Sequence, residues 1–386
     1  MSGENQIIKV VWGCCWFNET TDTVEHFMLS VIRSFKTKNL EIVPVIFVAN
    51  LDIKEEEILR LRKSLDNVVL LKNQFNIYPN KNYGIFSIVT YAHEKHLEYV
   101  AIVDPDWSIN ECDEFVETIL QPILSDKVDL IIPNIGSSAG RDNKLIGSSI
   151  INLFYPDYKN NIVTPFPGSF SAVTEKIFSI VNSDYYHFDW GGEWDIISYS
   201  ISNNYLIKSI DVNLVNVRHR KNSSKVQDAY QMWRAVFSNY DIIKRFHYLS
   251  EYNASFEEDH PVYKAFLRTS NNISEIIAIA NELVLNSTEK QLLYMILHPL
   301  SCIINNTLYD YDVIDCLGDP YDKNLLEDIQ RLAIICIKRI LEDSHISVER
   351  LHDTAKIITG GNFGNWTIES TQRARKKMLE QIKALL

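Results

Sequence analysis

The residues with the clearest chemical content are two aspartates, Asp104 and Asp106, separated by Pro105 and set directly behind the apolar run Tyr99-Val-Ala-Ile-Val103. A short apolar run bounded by turn residues predicts a buried strand. Open α/β sheets hold their ligands outside the carboxyl ends of such strands. Two carboxylates at that tip are hard oxygen donors of the kind magnesium and manganese take, with substrate phosphate oxygens filling the rest of the shell. A second Asp-x-Asp, Asp310-Tyr-Asp312, has no strand-like run before it and is assigned no site. His219 follows a strand-like stretch from Ile210 to Val217. It is either a third metal ligand or a surface histidine in a basic loop. Its neighbours Arg218, Arg220 and Lys221 suit a phosphate, an anionic acceptor or plain solvation.

A metal that clamps both phosphates of a nucleoside diphosphate withdraws charge as a glycosidic bond to it breaks. By this route an acidic chain can handle an anionic substrate. Two further segments could complete such chemistry. Trp190-Gly-Gly-Glu193-Trp-Asp195 joins flat aromatic faces suited to sugar rings with glycines that let backbone approach a ligand. Glu193 or Asp195 could position an acceptor hydroxyl or act as its base; acids at a helix start, favoured by the backbone dipole, are the structural alternative. Thr164-Pro-Phe-Pro167-Gly168-Ser169-Phe170 is a Pro/Gly loop between the sheet and the next helix, and is either a plain turn or a source of free amides for acceptor oxygens.

The elements that must position these residues alternate in type, which predicts a layered α/β sheet with helical crossovers. Apolar runs at Ile7 to Cys15, Glu41 to Ala49, Val68 to Leu71, Tyr99 to Val103 and Leu130 to Ile132 read as strands covered on both faces. Thr23 to Phe35 spaces Val24, Phe27, Met28, Val31 and Ile32 by three and four, placing them on one helical face. Lys54 to Leu65 and Tyr83 to Lys95 read as helices too. Beyond Pro261 the periodicity is helical only, as in Leu325, Ile329, Leu332 and Cys336. The expected organisation is a catalytic domain over 1–260 and a helical C-terminal appendage over 261–386.

The 386 residues carry a formal net charge of -12, which argues against a nucleic-acid partner. No apolar run reaches the roughly eighteen residues of a membrane span, so no membrane partner is expected and the cytoplasm is the default location. The six cysteines form no Cys-x-x-Cys pair and read as reduced core thiols, the adjacent Cys14 and Cys15 included.

The order of the segments resembles the GT-A fold nucleotide-diphospho-sugar glycosyltransferases. Phe17-Asn18-Glu19 after the first strand, Asn82-Tyr-Gly84 with Ala92 on the next helix, and Tyr99 to Asp106 carry the front of the resemblance. Asp129-Leu-Ile-Ile-Pro133, Pro167-Gly-Ser-Phe170, Trp190-Gly-Gly-Glu193 and Val217-Arg-His219-Arg220 recur in that order in mannosylglycerate synthases and glucosyl-3-phosphoglycerate synthases. The similarity spans about residues 7 to 240. It implies a Rossmann-like mixed sheet with flanking helices, and transfer from a GDP- or UDP-linked sugar to a small-molecule acceptor with retained anomeric configuration. It further implies that Asp104 faces the donor ribose or the metal, and that Asp106 and His219 ligate a Mg2+ or Mn2+ ion. Trp16, Glu19, Asn50 or Asp52, and Asn82 would line the nucleotide pocket. The amides of Gly168, Ser169 and Phe170 would meet the acceptor near Trp190, Arg218 and Arg220, with Glu193 at the reacting centre. A homodimer is compatible with this reading. The chain departs from the pattern at Pro105 and at Cys14-Cys15-Trp16-Phe17, where a proline usually precedes the Asn-Glu pair.

Three other readings compete. Haloacid-dehalogenase-like phosphohydrolases also set Asp-x-Asp after a strand, with the first aspartate as nucleophile, and Gly318-Asp319-Pro-Tyr-Asp322 faintly echoes their distal motif. That motif follows a first strand, whereas three apolar runs precede Asp104. A sugar-nucleotide nucleotidyltransferase would open with a Gly-rich phosphate loop, and only Gly13 stands there. A binding protein that has lost activity is disfavoured by the intact acid pair.

Overall fold

The structure is a computed structural model that describes residues 7–35, 40–77, 80–109, 112–125, 127–134, 142–212, 214–217, 225–251, 260–268, 273–305, 323–357 and 366–386. The chain forms two compact units: Met1–Ser138, Pro167–Arg218 and Asn365–Leu386 make the first, and Ala139–Phe166 with His219–Gly364 make the second.

The first unit is built on a mixed sheet. Its strands are β1 (Ile8–Trp16), β2 (Leu40–Val48), β3 (Val69–Lys72), β4 (Tyr99–Ile102), β6 (Leu130–Asn134), β7 (Phe170–Val173) and β8 (Ile207–Asp211). They lie in the order β3-β2-β1-β4-β7-β6-β8. β1, β2, β3 and β4 pair in parallel, and β7 runs antiparallel to both β4 and β6. This is the α/β sheet with flanking helices that the apolar runs predict. Two more strands, β5 (Trp107–Ile109) and β9 (Leu214–Val217), pair antiparallel outside the main sheet, with Trp107 opposite Val217. The single strand expected from Ile210 to Val217 is thus two strands in two sheets. β7 answers to no expected strand: the Pro/Gly loop before it runs into the sheet before reaching a helix.

From Val10 to Trp16 every residue of β1 is buried, because both of its faces are covered there. Val10, Trp12, Cys14 and Trp16 share a core with α1 (Thr21–Phe35), α2 (Glu55–Ser64) and α4 (Cys112–Ser125), through Val24, Met28, Ile58, Leu61 and Ile119 among others. The opposite face carries α3 (Lys81–Glu94), whose residues Asn82 to Ala92 are all buried. A helix covered on every side has no polar face to show water. α3 lies close because each side of the contact offers a glycine, Gly13 on β1 and Gly84 on α3 itself. A Cβ on Gly13 would sit 2.6 Å from Ile88 Cγ2, and one on Gly84 would sit 2.5 Å from Cys15 Sγ and 2.7 Å from Phe47 Cδ1.

The last helix, Ile368–Leu385, also belongs to the sheet unit. Ala374, Met378 and Ile382, spaced by four, form its buried face. Gln381 covers the open edge of β3: its Oε1 accepts from Lys72 N (2.8 Å) and its Nε2 donates to Lys72 O (3.3 Å). Periodicity announces that this helix buries a face, but not which partner it buries it against.

The second unit is helical among the described residues. Lys323–Asp343 packs on Ser148–Phe154, and Val348–Ile357 on Lys225–Ser238, where His352 Nδ1 lies 2.9 Å from Phe237 O. No helix among the described residues is long and apolar enough to cross a membrane.

The close approach of α3 gives a direct test. Gly84→Ala forces Cys15 and Phe47 aside and should cost about 1–3 kcal/mol, read as a lowered thermal midpoint; an unchanged midpoint would mean that α3 does not rest on β1 and β2 at this distance.

Candidate active site

The carboxyl ends of β1, β2 and β4 point to one edge of the sheet, and β7 starts there, with Phe170 paired to Ile102. Residues 167–169 therefore reach the tip of β4 as the chain enters β7. Asp104 sits at this tip. Its backbone N donates to Ser169 Oγ (3.0 Å), and a Cβ on Gly168 would lie 3.0 Å from Asp104 Oδ2.

The centre of the arrangement is Lys81, the first residue of α3. Its Nζ lies 2.7 Å from Asp104 Oδ2 and 3.4 Å from Glu193 Oε1. Exposure of the three side chains is 13% for Lys81, 26% for Asp104 and 5% for Glu193. Burial alone would lower the ammonium's pKa, but Asp104 and then Glu193 outweigh it and hold the group above the ordinary lysine range.

Glu193 is delivered by the first turn of the helix Gly192–Ser202. The passage leading into that helix is fixed by side chains. Asp189 Oδ1 accepts from Gly191 N (2.9 Å), while Asn82 Nδ2 donates to Asp189 O. Asn82 Oδ1 in turn accepts from Tyr186 OH (3.1 Å). A Cβ on Gly192 would lie 2.7 Å from Asn82 Cγ and closer still to the His187 carbonyl, so glycine is required at that approach.

Among the residues singled out from the sequence, Asp104, Glu193, Gly168 and Ser169 come together here. Ser169 meets the Asp104 amide through its hydroxyl, and Phe170 lies in the β4–β7 ladder with its side chain fully buried. Asp106 is half-buried two residues beyond Asp104, and Trp190 is half-buried in the passage before Gly192. Asp195 is 1% exposed, and its Oδ2 accepts from His187 N (2.8 Å) with His187 Nδ1 at the same distance. Trp16 is part of the core beneath the sheet, its Nε1 donating to Glu19 O (2.9 Å). Glu19 Oε2 accepts from the amides of Phe17 (2.8 Å) and Asn18 (3.1 Å), closing the turn after β1. Asn50 Oδ1 accepts from Asp52 N (2.9 Å), and Asp52 is exposed. Asn82 braces the Glu193 passage, as described. Arg218, His219, Arg220 and Lys221 lie outside the described residues, as do Asp310, Asp312 and the 318–322 stretch.

Lys81 is the functional candidate that the sequence did not disclose. A lone lysine at a helix start reads as a solvated residue; the only available sign was its place before a stretch, Asn82 to Ala92, with no charged residue. Cys14 and Cys15 are buried thiols, as expected, and burial first of all pushes both well up from the ordinary range.

For a cation, the donor chemistry fits: Asp104 and Asp106 are carboxylates at a strand tip, and Gly168 withholds a Cβ that would crowd both Lys81 Nζ (2.9 Å) and Asp104 Oδ2 (3.0 Å). Among the described residues no three His, Cys, Asp or Glu side chains already stand at metal-ligand spacing.

No family model matches the chain, and no curated protein matches it. Solved structures do. One is glucosyl-3-phosphoglycerate synthase from Mycobacterium tuberculosis in complex with phosphoglyceric acid, at 14% identity and a TM-score of 0.48, over 60% of this chain and 79% of that one. The same enzyme with Mn2+, uridine diphosphate and glucosyl-3-phosphoglycerate matches at 16% identity and a TM-score of 0.48 over the same shares. Its complex with Mg2+ and uridine diphosphate matches at 18% and 0.47, again over 60% and 79%.

Removing the shared ammonium should leave two acids facing one another. Lys81→Met is expected to cost about 2–3 kcal/mol, short of the full range for a sealed pair because Asp104 retains contact with water. Adding Glu193→Gln should recover part of the loss. Because the folded pKa of Lys81 is raised, this stability is fully present below the ordinary lysine value of about 10.4 and is lost only as pH climbs through the raised one. Unfolding midpoints of the wild type and the single variant should differ by the same amount throughout neutral pH. Identical midpoints would show that the ammonium is not shared.

Proposed function

We propose that this chain is a divalent-metal-dependent glycosyltransferase that moves a sugar from a GDP- or UDP-linked donor to a small hydroxyl-bearing acceptor, with retention. The observation that supports it best is the meeting of Asp104, Lys81, Glu193 and the 167–169 loop at the carboxyl edge of the parallel strands. Ligands of open α/β sheets bind at that edge.

In this reading Asp104 and Asp106 hold a Mg2+ or Mn2+ ion, with His219 as the sequence candidate for a further ligand. When bound, the ion supplies Lewis-acid stabilisation to the departing diphosphate. Lys81 offers a second positive group beside the same oxygens, pre-set by its two carboxylates and so needing little reorganisation. Asp104 and Glu193 keep the Lys81 ammonium from standing as an unpaired buried charge.

Glu193, next to Lys81, positions the acceptor hydroxyl at the reacting centre. Asp195, engaged by His187, supports the passage that delivers Glu193. The amides of Gly168 and Ser169, with Trp190, Arg218 and Arg220, are assigned to the acceptor side; Trp16, Glu19, Asn50, Asp52 and Asn82 are assigned to forming or bracing the nucleotide side.

A thermal-shift panel of nucleoside diphosphates with and without manganese tests the reading. One nucleotide should stabilise the protein only with metal, by about 2.7 kcal/mol when present at 100 times its Kd. Asp106→Ala should keep the unliganded midpoint, abolish the metal-dependent part and lower the transfer rate by about 100-fold or more. Stabilisation that ignores the metal, or an unaffected Asp106→Ala protein, would rule the proposed site out.

A further inference from the structure

Glu193 must be held at a fixed distance from Lys81, yet it follows a passage, 182–191, that is neither helix nor strand. Asn82 and Asp195 hold part of this passage, and the last helix supplies further groups that pin it. Arg375 donates from Nη1 to Val181 O (2.8 Å) and from Nη2 to Ser183 O (2.8 Å). Val181 ends the helix Thr174–Val181, where carbonyls lack partners within the helix. The guanidinium carbon also lies 4.8 Å from the centroid of Phe86 and 4.9 Å from that of Phe188. One of those rings stands on α3 and the other in the passage.

A second link joins the same two elements. Tyr83 OH, two residues from Lys81, donates to Ala374 O (3.3 Å). The Phe188 ring packs 5.2 Å from each of Tyr83, Phe86 and Trp366. Residues 374 and 375 thus grip α3 beside Lys81 and also the passage before Glu193. Burial pulls the Arg375 guanidinium down to about 10, which leaves it charged at neutral pH.

We propose that Arg375 is a positioning residue: by clamping 182–191 to α3 it sets the placement of Glu193 against Lys81 and Asp104, and it makes the last helix part of the working site. The clamp needs a planar fork that bonds two carbonyls while stacking on two rings, which a lysine cannot reproduce. Only the kinetic consequence rests on the transferase reading.

The test compares Arg375→Lys and Arg375→Met with the wild type by amide hydrogen exchange on the full chain without ligands. Amides of 184–195 should exchange about tenfold faster or more in both variants, with β1 to β4 unchanged, so that lysine does not rescue. Phe188→Leu, which keeps the hydrogen bonds and removes a ring, should show the same local pattern more weakly and serves if the arginine variants fold poorly. In the transfer assay kcat should fall about 10- to 100-fold while the metal-dependent nucleotide shift is kept, because misplacement by an ångström costs that much in rate. Exchange that rises evenly over the whole sheet unit, an unchanged 184–195 segment, or full rescue by lysine would each overturn the proposal. A wild type that binds no nucleotide would remove the transferase reading, while the exchange pattern would still decide the role of Arg375.

Discussion

One ammonium held between two carboxylates sets the geometry of the candidate site. Lys81 Nζ can stand 2.7 Å from Asp104 and 3.4 Å from Glu193 only if α3, β4 and the helix Gly192–Ser202 meet at one corner of the sheet. With 5% exposure at Glu193 and 13% at Lys81, little water is present to screen the attraction. Taking three charges out of water is costly, and the attraction offsets that cost only with good geometry and further hydrogen bonds. The Ser169 hydroxyl on the Asp104 amide and the Asn82 bridge to Asp189 are such supports. The glycines that bring α3 against β1 and β2 therefore bear on the charges as well as on the packing. A helix standing farther from the sheet would carry Lys81 away from Asp104.

Most of the sheet was legible because its strands are buried on both sides, and so read as unbroken apolar runs. Legibility failed where a run did not coincide with an element. From Ile210 to Val217 the sequence is nearly continuous in texture, but the chain leaves β8 at Asp211 and re-enters as β9 at Leu214 in another sheet. β7 is four residues long and preceded by Pro167 and Gly168, whose composition signals a turn more strongly than Phe-Ser-Ala-Val signals a strand. That strand brings Gly168 and Ser169 to Asp104, so missing it concealed how the loop reaches the carboxylates.

The candidate site was legible by residue type more than by role. Asp104 and Glu193 drew attention as acids beside a strand end and beside glycines, and both lie in the cluster. Trp16, Glu19, Asn50 and Asn82 were singled out for a ligand, and in the structure each is engaged in the protein's own hydrogen bonds. A side chain that closes a turn near a site and one that touches a ligand have the same identity in sequence, and differ only in where their polar atoms point. Lys81 shows the converse: its importance comes from partners 23 and 112 positions away, which no local pattern encodes.

The last helix carries this argument furthest. Its amphipathic stripe predicts burial, and continuity along the chain suggests burial against the helices before it. Two polar side chains decide otherwise. The terminal amide of Gln381 matches the hydrogen-bonding groups of a neighbouring strand, so it satisfies the exposed edge of β3 where an unprotected edge would invite pairing with another chain. The guanidinium of Arg375 matches two carbonyls at the end of Thr174–Val181 and two aromatic faces at once. Apolar burial is non-directional and would let the helix dock on many surfaces. These bonds are directional and have partners only on the sheet unit. They select the docking site, and through Tyr83 and Phe188 they tie that selection to the corner where Lys81 and Glu193 meet.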